Sequence, residues 1–391
     1  MTIIFFDDQS RETLLPLTFT RPVADLRIGI MKISEKWIFH FKTLGAYQTQ
    51  SYLQQKFPLQ TAENQVYING SVCPDDALLT SISALKEGEA LVADEICIAV
   101  KTKSRYLNYS DLSGYKKIEH QHLFLKITFP EDLFKFNADA IKADFEVLTK
   151  GRVSQKLSST NKVIGDNIFV EEGVVAECCN FNTTSGPIYL GKNSQVWEGS
   201  NIRGALALCN DSQIKMGTKI YGATTVGPNS RVGGEINNAV IWGNSAKGHE
   251  GYLGNSVLGE WCNIGADTNN SNLKNNYAEV KLWDYTLQRF RKTGLQFCGL
   301  VMADHAKCGI NTMFNTGSVV GVGANIFGAG FPRNFVPDFA WGGAHGFEVY
   351  SLNKMFETVT KVFERRGKMF DEADRDILSY IFDNTEQYRR F

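Results

Sequence analysis

Short apolar runs alternate with helical patterns over the first part of the chain. Four of these runs have the length and composition of buried strands, at residues 3–6, 66–69, 90–92 and 96–100. Helical spacing is found at residues 30–41, where Trp37 and Phe41 fall on one face, and at residues 74–85. Strands that alternate with helices are typical of an α/β domain, which we place at residues 1–150.

After residue 163 the pattern changes to a short period in which an aliphatic residue precedes glycine. The interval from Gly165 to Gly191 equals that from Gly191 to Gly217, and Gly227 and Gly233 lie six residues apart. Self-similarity of this kind indicates a parallel β-helix, in which each six-residue unit is one strand and a turn. A β-sandwich with glycine turns is the alternative, although sandwich turns recur at about 8–12 residues.

The repeat is interrupted near residues 273–298 by a segment that alternates like a pair of strands. This insertion carries several cations, at Lys274, Lys281, Arg289, Arg291 and Lys292. Insertions in solenoids often map to the binding face, so the segment is predicted to be a binding loop or an arm that packs on a neighbouring subunit. A solvated hairpin is the plainer alternative.

The repeat resumes at residue 308, and we place the β-helix domain at residues 151–345. Residues 346–391 then show the apolar spacing of amphipathic helices, with a break near Gly367. Because a solenoid must cover its terminal coils, these helices are predicted to cap the open end of the stack.

Composition excludes several classes of function. The net charge of −1 gives no general reason to expect nucleic acid or an anionic membrane as a partner. The eight cysteines form no CxxC pair, so we expect free thiols and no bound metal. The first residues, MTIIFFDDQ, turn acidic too soon for a signal peptide, and no apolar run reaches the roughly 18 residues of a membrane span. We therefore expect a cytoplasmic protein.

Candidate chemistry concentrates in residues 245–276, where His249 lies among glycines and asparagines. It is the one side chain of this stretch that readily exchanges a proton near neutral pH. A surface histidine in a turn explains the same pattern equally well. His305 is a weaker candidate, and a position at a coil corner is its default interpretation.

Residues 247–272, KGHEGYLGNSVLGEWCNIGADTNNSN, resemble the acetyltransferase segment of the bifunctional GlmU-type enzymes. Those enzymes acetylate glucosamine-1-phosphate and join the product to uridylate. The shared features are G-H-x-x-Y-L-G, then N-x-G-A, then an asparagine before the insertion. Residues 308–326 also resemble the returning coils of that family. The resemblance implies a left-handed parallel β-helix of hexapeptide repeats that binds its substrates as a homotrimer.

The resemblance also implies roles for individual residues. It makes His249 the catalytic base, Tyr252 and Asn263 sugar contacts, and Asn272 and Ala266 acetyl-CoA contacts. A neutral imidazole suits the removal of a proton from a sugar ammonium before the amine attacks a thioester.

The phosphate-binding positions depart from the family. Arg231 keeps one arginine position, but Gly233 replaces a second, and Asn237-Asn238 replace a lysine pair. Lys281 of the insertion corresponds to a lysine of the family's loop. Arg231 and Lys281 are therefore predicted substrate contacts, while the identity of the sugar stays open.

The N-terminal region resembles a sugar nucleotidyltransferase, since residues 11–22, RETLLPLTFTRP, follow R-x-x-L-x-P-L-T-x-x-x-P. The resemblance makes Arg11 and Arg21 candidates for binding phosphate. However, no glycine-rich loop precedes them, and Ser71 stands where the family has an aspartate for Mg²⁺. We therefore expect a short, degenerate α/β domain of Rossmann-like nucleotidyltransferase type, with Mg²⁺ bound only if that domain is active.

Three hypotheses on function follow. The first is an acetyl-CoA-dependent N-acyltransferase that acts on an amino-sugar phosphate or a nucleotide sugar in the synthesis of cell-envelope precursors. The second is a sugar-1-phosphate nucleotidyltransferase of UDP-N-acetylglucosamine pyrophosphorylase type, with the β-helix as a trimerising scaffold. The third is a non-catalytic scaffold that binds nucleotide sugars.

Overall fold

The computed structural model describes residues 2–391, which form two compact units. The N-terminal unit consists of residues up to 26, residues 31–129 and residues 371–378. The solenoid unit consists of residues 27–30, 130–370 and 379–391.

The N-terminal unit is built on a six-stranded sheet. In spatial order its strands are Gly45–Gln48, Thr2–Phe6, Gln65–Asn69, Ile96–Lys101, Glu89–Ala93 and Lys116–Glu119. The first three strands are parallel, Ile96–Lys101 is antiparallel to both of its neighbours, and the edge strand is parallel to Glu89–Ala93. The four strands predicted from apolar runs are confirmed, because their side chains are buried in the sheet.

Helices of this unit cover residues Ser10–Thr13, Ile33–Phe41 and Asp76–Ala84, with short 3₁₀ turns at Val23–Asp25 and Ser51–Leu53 and a two-residue strand at Met31–Lys32. Asp75 accepts a hydrogen bond of 2.8 Å from the Leu78 amide, which explains why the second predicted helix begins where it does.

The solenoid unit is a parallel β-helix with three faces, as the glycine period predicts. Face 1 contains Ile168–Val170, Ile188–Leu190, Leu206–Leu208, Thr224–Val226, the second halves of Glu235–Ile241 and Tyr252–Leu258, Leu300–Met302, Ser318–Val320 and Phe335–Val336. Face 2 contains Val175–Ala176, Gln195–Val196, Gln213–Ile214, Arg231–Val232, Ala246–Lys247, Asn263–Ile264, Lys307–Cys308, Asn325–Ile326 and Ala340–Gly343, and ends with the antiparallel strand Gly346–Val349. Face 3 contains Lys162–Ile164, Asn180–Asn182, Asn201–Arg203, Lys219–Tyr221, the first halves of Glu235–Ile241 and Tyr252–Leu258, Asn269–Asn270 and Met313–Phe314.

Successive coils pair in register, and one aliphatic side chain of each strand points into the stack. On face 2, Ile214 pairs with Val232, and Ile264 pairs with Cys308. All four are buried in one continuous hydrophobic core. The inward side chains are buried against the coils above and below, and not within a single coil. The stack of coils, and not the single coil, is therefore the cooperative unit.

The corners between faces 1 and 2 form a column of left-handed residues. Asn229, Asn244, Trp261, His305 and Gly323 have φ values of 58°, 60°, 63°, 63° and 65°. Positive φ is cheapest for glycine and asparagine, which fits the sequence pattern at most coils. His305 is thus a corner residue, in agreement with its default interpretation.

The prediction that the C-terminal helices cap the open end is wrong for the helix Leu352–Glu364. This helix lies along the corner column: Met355 contacts Gly323, and the Phe363 ring stacks on Trp261 with centroids 4.0 Å apart. The aromatic corner residues supply the apolar surface that a helix can bury. A second helix, Glu372–Asn384, follows the predicted break, and Glu386–Tyr388 is a 3₁₀ turn.

The insertion forms the predicted hairpin. Strand Lys281–Asp284 pairs antiparallel with Arg289–Lys292. The hairpin is fixed to the rest of its unit, since Arg291 Nη2 lies 2.7 Å from Oε1 of Glu131. Glu131 belongs to the helix Pro130–Lys135, which precedes the helix Asn137–Thr149, and a short strand, Arg27–Ile28, completes the unit. No helix among residues 2–391 is long and apolar enough to cross a membrane.

Candidate functional site

His249 lies in a turn that joins face 2 to face 3. The turn, residues 248–251, follows the strand Ala246–Lys247 and precedes Tyr252–Leu258. The His249 side chain is exposed to solvent. In residues 2–391 its ring has no hydrogen-bond partner, so both ring nitrogens are available to a ligand.

A lysine inside the solenoid supports this turn. Lys247 occupies the inward position that Val232 and Ile264 fill in the adjacent coils, and it is 1% exposed. Its Nζ donates to the carbonyl oxygens of His249 at 2.7 Å and Glu250 at 3.3 Å. Burial lowers the pKa of Lys247 to about 8. The buried amino group of Lys247, which donates two hydrogen bonds, therefore holds the backbone of the turn that carries His249.

His249 lines a cavity of about 710 Å³ on the outer side of face 2. Five cationic side chains share the lining, and no lining residue is acidic: Lys215, Arg231, Lys307, Arg365 and Arg366. The last two come from the end of the helix Leu352–Glu364 and the residues after it. The floor carries little side-chain bulk, since Gly248 and Gly265 are among the lining residues.

Lys215, Lys307 and Arg366 are partly buried, whereas Arg231 and Arg365 are exposed and act on them as neighbouring charges. Burial, followed by the charge of Arg231, lowers the pKa of Lys215. Burial, followed by the charges of Arg231 and Arg365, lowers the pKa of Arg366. Burial also lowers the pKa of Lys307. An anion in the cavity would relieve both the desolvation and the mutual repulsion.

Four of the residues predicted for the site lie together. His249, Arg231, Asn263 and Ala266 all line the 710 Å³ cavity. Arg231 pairs with Ala246, and Ala246 pairs with Asn263, so the two polar side chains lie two coils apart on the same face.

Tyr252 and Asn272 are brought together on the neighbouring face, outside the lining of this cavity. Asn272 Nδ2 donates to Tyr252 Oη at 2.9 Å and to Asn255 Oδ1 at 2.8 Å. Gly254 makes room for the phenol, because a Cβ atom there would lie 2.3 Å from Tyr252 Oη. The two residues form a hydrogen-bonded pair at the base of the insertion.

Lys281 lies in a different cavity, which also contains other residues of the insertion and of the C-terminal segment. Lys281 and His249 therefore line two separate cavities.

Arg11 and Arg21 are buried in the N-terminal unit and already paired. Arg11 Nη2 donates to Tyr52 Oη at 2.7 Å, and Arg21 Nη1 lies 3.1 Å from Asp25 Oδ2. A phosphate would have to compete with these partners, so the structure adds no support to their predicted role.

Two carboxylates follow the first strand of the N-terminal unit. Burial, which outweighs hydrogen bonds from Thr49 and Val23, raises the pKa of Asp7 to about 6. Burial also opposes ionisation of Asp8, but Lys126, 3.0 Å away, and the hydrogen bond from Asn69 outweigh it and lower the pKa of Asp8.

Ser71, which stands at the family's metal aspartate, donates to Asn69 Oδ1 at 2.7 Å. No group of three or more His, Cys, Asp or Glu residues that could hold a metal ion is found in residues 2–391. Every cysteine is a free thiol.

Sequence reasoning missed the residues that give the cavity its charge. Lys215 and Lys307 occupy outward-facing positions of face 2. Their common face can be recognised once the register of the coils is known. Arg365 and Arg366 precede Gly367 at the end of a helix, but nothing local in the sequence shows that this helix returns to the coil of His249. Lys247 was missed because a lysine in a strand is normally solvated.

Comparison with known proteins finds a match to sugar nucleotidyl transferases and segment matches to GlmU proteins. Residues 3–153 match the family model of sugar nucleotidyl transferases. The bifunctional protein GlmU of Methanocaldococcus jannaschii is 32% identical over 87 residues, which are 22% of this chain and 21% of that protein. The bifunctional protein GlmU of Methanococcus aeolicus is 31% identical over 120 residues, which are 29% of this chain and 27% of that protein.

The matched segments span only about a quarter of the length of these curated relatives. Among solved structures, a UDP-N-acetylglucosamine acyltransferase of Francisella novicida is similar over 60% of this chain and 76% of that chain, with 13% identity and a TM-score of 0.30. Over these segments the chain is similar to GlmU proteins, and its residues 3–153 match sugar nucleotidyl transferases.

Proposed function

We propose that the chain is an acetyl-CoA-dependent N-acyltransferase that acts on an amino-sugar phosphate or a nucleotide sugar. The observation that carries the proposal is the exposed imidazole of His249 in a cavity with five cations and no acidic residue in its lining. An amino-sugar phosphate offers both an amine for the imidazole and an anion for the cations.

The chemistry assigns a proton transfer to His249. Its neutral imidazole accepts a proton from the sugar ammonium, which frees the nitrogen lone pair to attack the thioester carbonyl. A carbon–nitrogen bond forms, the carbon–sulfur bond breaks, and the thiolate leaves and takes up a proton. Backbone amides of the adjacent coil, near Ala266, are suited to bind the oxyanion of the intermediate.

In this proposal the cations of the cavity bind the phosphate group of the substrate. Arg231 lines the cavity, and so do Arg365 and Arg366. The last two supply positive charge in place of the family's second arginine, at whose position this chain has Gly233. Arginine binds phosphate in a bidentate manner, which fixes orientation as well as charge. Asn237 and Asn238 do not line the cavity, so their difference from the family's lysine pair does not bear on its charge.

The proposal includes two further features of the family. Acetyl-CoA is the acyl donor, with Ala266 and Asn272 among its contacts. Assembly as a cytoplasmic homotrimer would bring a neighbouring solenoid next to His249 and could unite it with the Tyr252–Asn272 pair. Light scattering of the purified chain measures the mass of the assembly.

The test is a thiol-release assay with acetyl-CoA against a panel of amino sugars, their 1-phosphates and nucleotide amino sugars. His249→Ala should lower the rate by at least about 100-fold, as is typical for the loss of a general base. His345→Ala is the matched control, since His345 is also exposed in a turn and lies outside the cavity lining. An unchanged rate in the His249 variant would contradict the proposal, and binding without turnover across the panel would favour the non-catalytic scaffold.

A second candidate is favoured by the family match at residues 3–153. A sugar-1-phosphate nucleotidyltransferase would release pyrophosphate from a nucleoside triphosphate and a sugar phosphate in the presence of Mg²⁺. Asp8 is suited to a metal, since its carboxylate is kept ionised. Pyrophosphate release that Asp8→Asn abolishes would support this activity, and no release across nucleotide and sugar pairs would exclude it.

A further inference from the structure

A second cavity, of about 590 Å³, lies between the insertion and the C-terminal residues of the solenoid unit. Strand Lys281–Asp284 of the hairpin forms one wall, and residues 333–337 of the following coils form another. Residues 388–391 close a third side. The volume is in the range of small-molecule sites.

The cavity has an aromatic wall. The Trp283 ring stacks on Phe335, with centroids 4.3 Å apart and an interplanar angle of 12°. Phe290, which is 41% exposed, meets the edge of Trp283 with centroids 5.5 Å apart. Tyr388 lies edge-on to Phe335. Exposed aromatic faces at a concave site are the surfaces on which planar rings stack.

Four cations share the lining of this cavity: Lys274, Lys281, Arg333 and Arg390. No acidic residue lines it, and within residues 2–391 none of the four forms an ion pair. Lys274 donates only to the backbone oxygen of Glu279, at 3.1 Å. The cavity therefore holds unneutralised positive charge next to its aromatic wall.

One polar atom of the wall also lacks a partner. The indole Nε1 of Trp283 is buried, and no acceptor reaches it from residues 2–391. A buried N–H without an acceptor is costly, and such groups usually find a partner in a protein or a ligand. This orphan donor is an observation independent of the cations.

Together these features select a class of ligand. A planar heteroaromatic ring would stack on the wall, and a phosphate or diphosphate would bind the cations. An inorganic anion would leave the aromatic wall unused, and an apolar molecule would leave the cations unpaired. We propose that this cavity is a nucleotide-binding site, separate from the cavity of His249, with Trp283 and Phe335 on the base side and Lys281 and Arg333 on the phosphate side.

The hairpin is built to hold such a wall in place. Tyr285, two residues after Trp283, donates from Oη to Asp338 Oδ2 at 3.0 Å. Gly317 has φ of 74°, and a Cβ atom there would lie 2.4 Å from the Lys281 carbonyl oxygen, so the hairpin lies directly on that coil. A nucleotide would thus bind to a wall fixed by packing, which lowers the ordering cost of binding.

The proposal does not depend on acyl transfer at His249. Two sources share the ligand chemistry, since a nucleotide can belong to a nucleotide sugar or to an adenine-containing acyl donor. Calorimetric titration of the full chain with UDP, ADP and inorganic pyrophosphate distinguishes them. Tighter binding of UDP indicates the sugar side, and tighter binding of ADP indicates the donor side. The proposal is overturned if neither nucleotide binds, or if pyrophosphate binds as tightly as both.

Variants locate the binding. Lys281→Ala and Arg333→Ala, both exposed positions, should each weaken nucleotide binding at least about tenfold. Trp283→Phe keeps an aromatic ring but removes the indole donor, so it should weaken binding without abolishing it and should lose the part of the tryptophan fluorescence change that comes from a stacked base. Arg203→Ala, at an exposed arginine of face 3 outside both cavities, is the control and should leave the affinity unchanged. Arg365→Ala, in the His249 cavity, reports nucleotide bound at that cavity instead. Binding that is weakened by the Arg365 variant and not by the Lys281 and Arg333 variants would place the nucleotide elsewhere and refute the proposal.

Discussion

The buried lysine under the turn of His249 gives a prediction that can be worked out from the structure. Lys247 replaces an aliphatic residue of the inner column, and its charge is paired only with carbonyl oxygens. Lys247→Met keeps the length and most of the volume of the side chain but removes the ionisable group.

The magnitude follows from the pKa. Lysine in the unfolded chain has a pKa near 10.5, and burial lowers it to about 8 in the folded protein. Below pH 8 the group is charged in both states, and the folded state bears the full cost of the buried charge. Between pH 8 and 10.5 the folded protein binds fewer protons than the unfolded chain, so its stability rises with pH. At 1.36 kcal/mol per pKa unit, the gain is about 3 kcal/mol.

The measurement is the free energy of unfolding of the wild-type chain and of Lys247→Met, from urea titrations followed by circular dichroism between pH 7 and 10.5. The wild-type value should rise by about 3 kcal/mol relative to the variant over this range, because groups shared by both proteins cancel in the difference. Lys219→Met is the control: Lys219 is exposed on face 3, so its difference from wild type should not change with pH.

A difference between wild type and Lys247→Met that stays constant from pH 7 to 10.5 would refute the reasoning, since it would mean that Lys247 titrates as in water. The variant should also lower kcat of the proposed acyl transfer more than it changes KM, because it frees the backbone turn without touching the lining of the cavity.

Two further predictions concern Asp338 and Gly254. Burial raises the pKa of Asp338 to about 6, above its value of 3.8 in the unfolded chain, so the wild type should lose up to about 3 kcal/mol of unfolding free energy relative to Asp338→Asn as the pH rises from 4 to 7. Denaturant titrations at both pH values test this, and an equal difference at pH 4 and pH 7 would contradict it. Gly254→Ala should displace the Tyr252 phenol from Asn272 and lower kcat/KM of the acyl transfer about tenfold, as the loss of one hydrogen bond would. Tyr252→Phe, which removes the same hydrogen bond without the added methyl group, should have an effect of similar size, and full activity in both variants would exclude a role for this pair.

Local sequence patterns were enough to predict four of the six strands of the N-terminal sheet, two of its helices and the repeat of the solenoid. The β-helix was predictable because each coil repeats the same local requirement: an aliphatic residue that points inward, and a glycine or asparagine that accepts positive φ. The hairpin at residues 273–298 and the helix break at Gly367 follow from the same kind of short-range pattern. These features depend on neighbours within a few residues, which a single sequence displays.

The candidate site was predictable only in part. The GlmU-like spacing identified His249, Arg231, Asn263 and Ala266, and the coil register brings these four to one cavity because strands pair in register across successive coils. Tyr252 also matches the GlmU-like spacing, but it lies on the adjacent face because the turn at residues 248–251 changes the direction of the chain.

By itself, then, the sequence determined the solenoid, the hairpin, the helices and the turn that carries the imidazole. Only the tertiary structure decided which cations join Arg231 around it. Arg365 and Arg366 reach the cavity because Phe363 stacks on Trp261, a contact between residues far apart in the chain. Lys247 lies inside the stack because its amino group finds two carbonyl oxygens there. Both outcomes depend on which surfaces meet after folding, and no local pattern of apolar and polar residues contains that information.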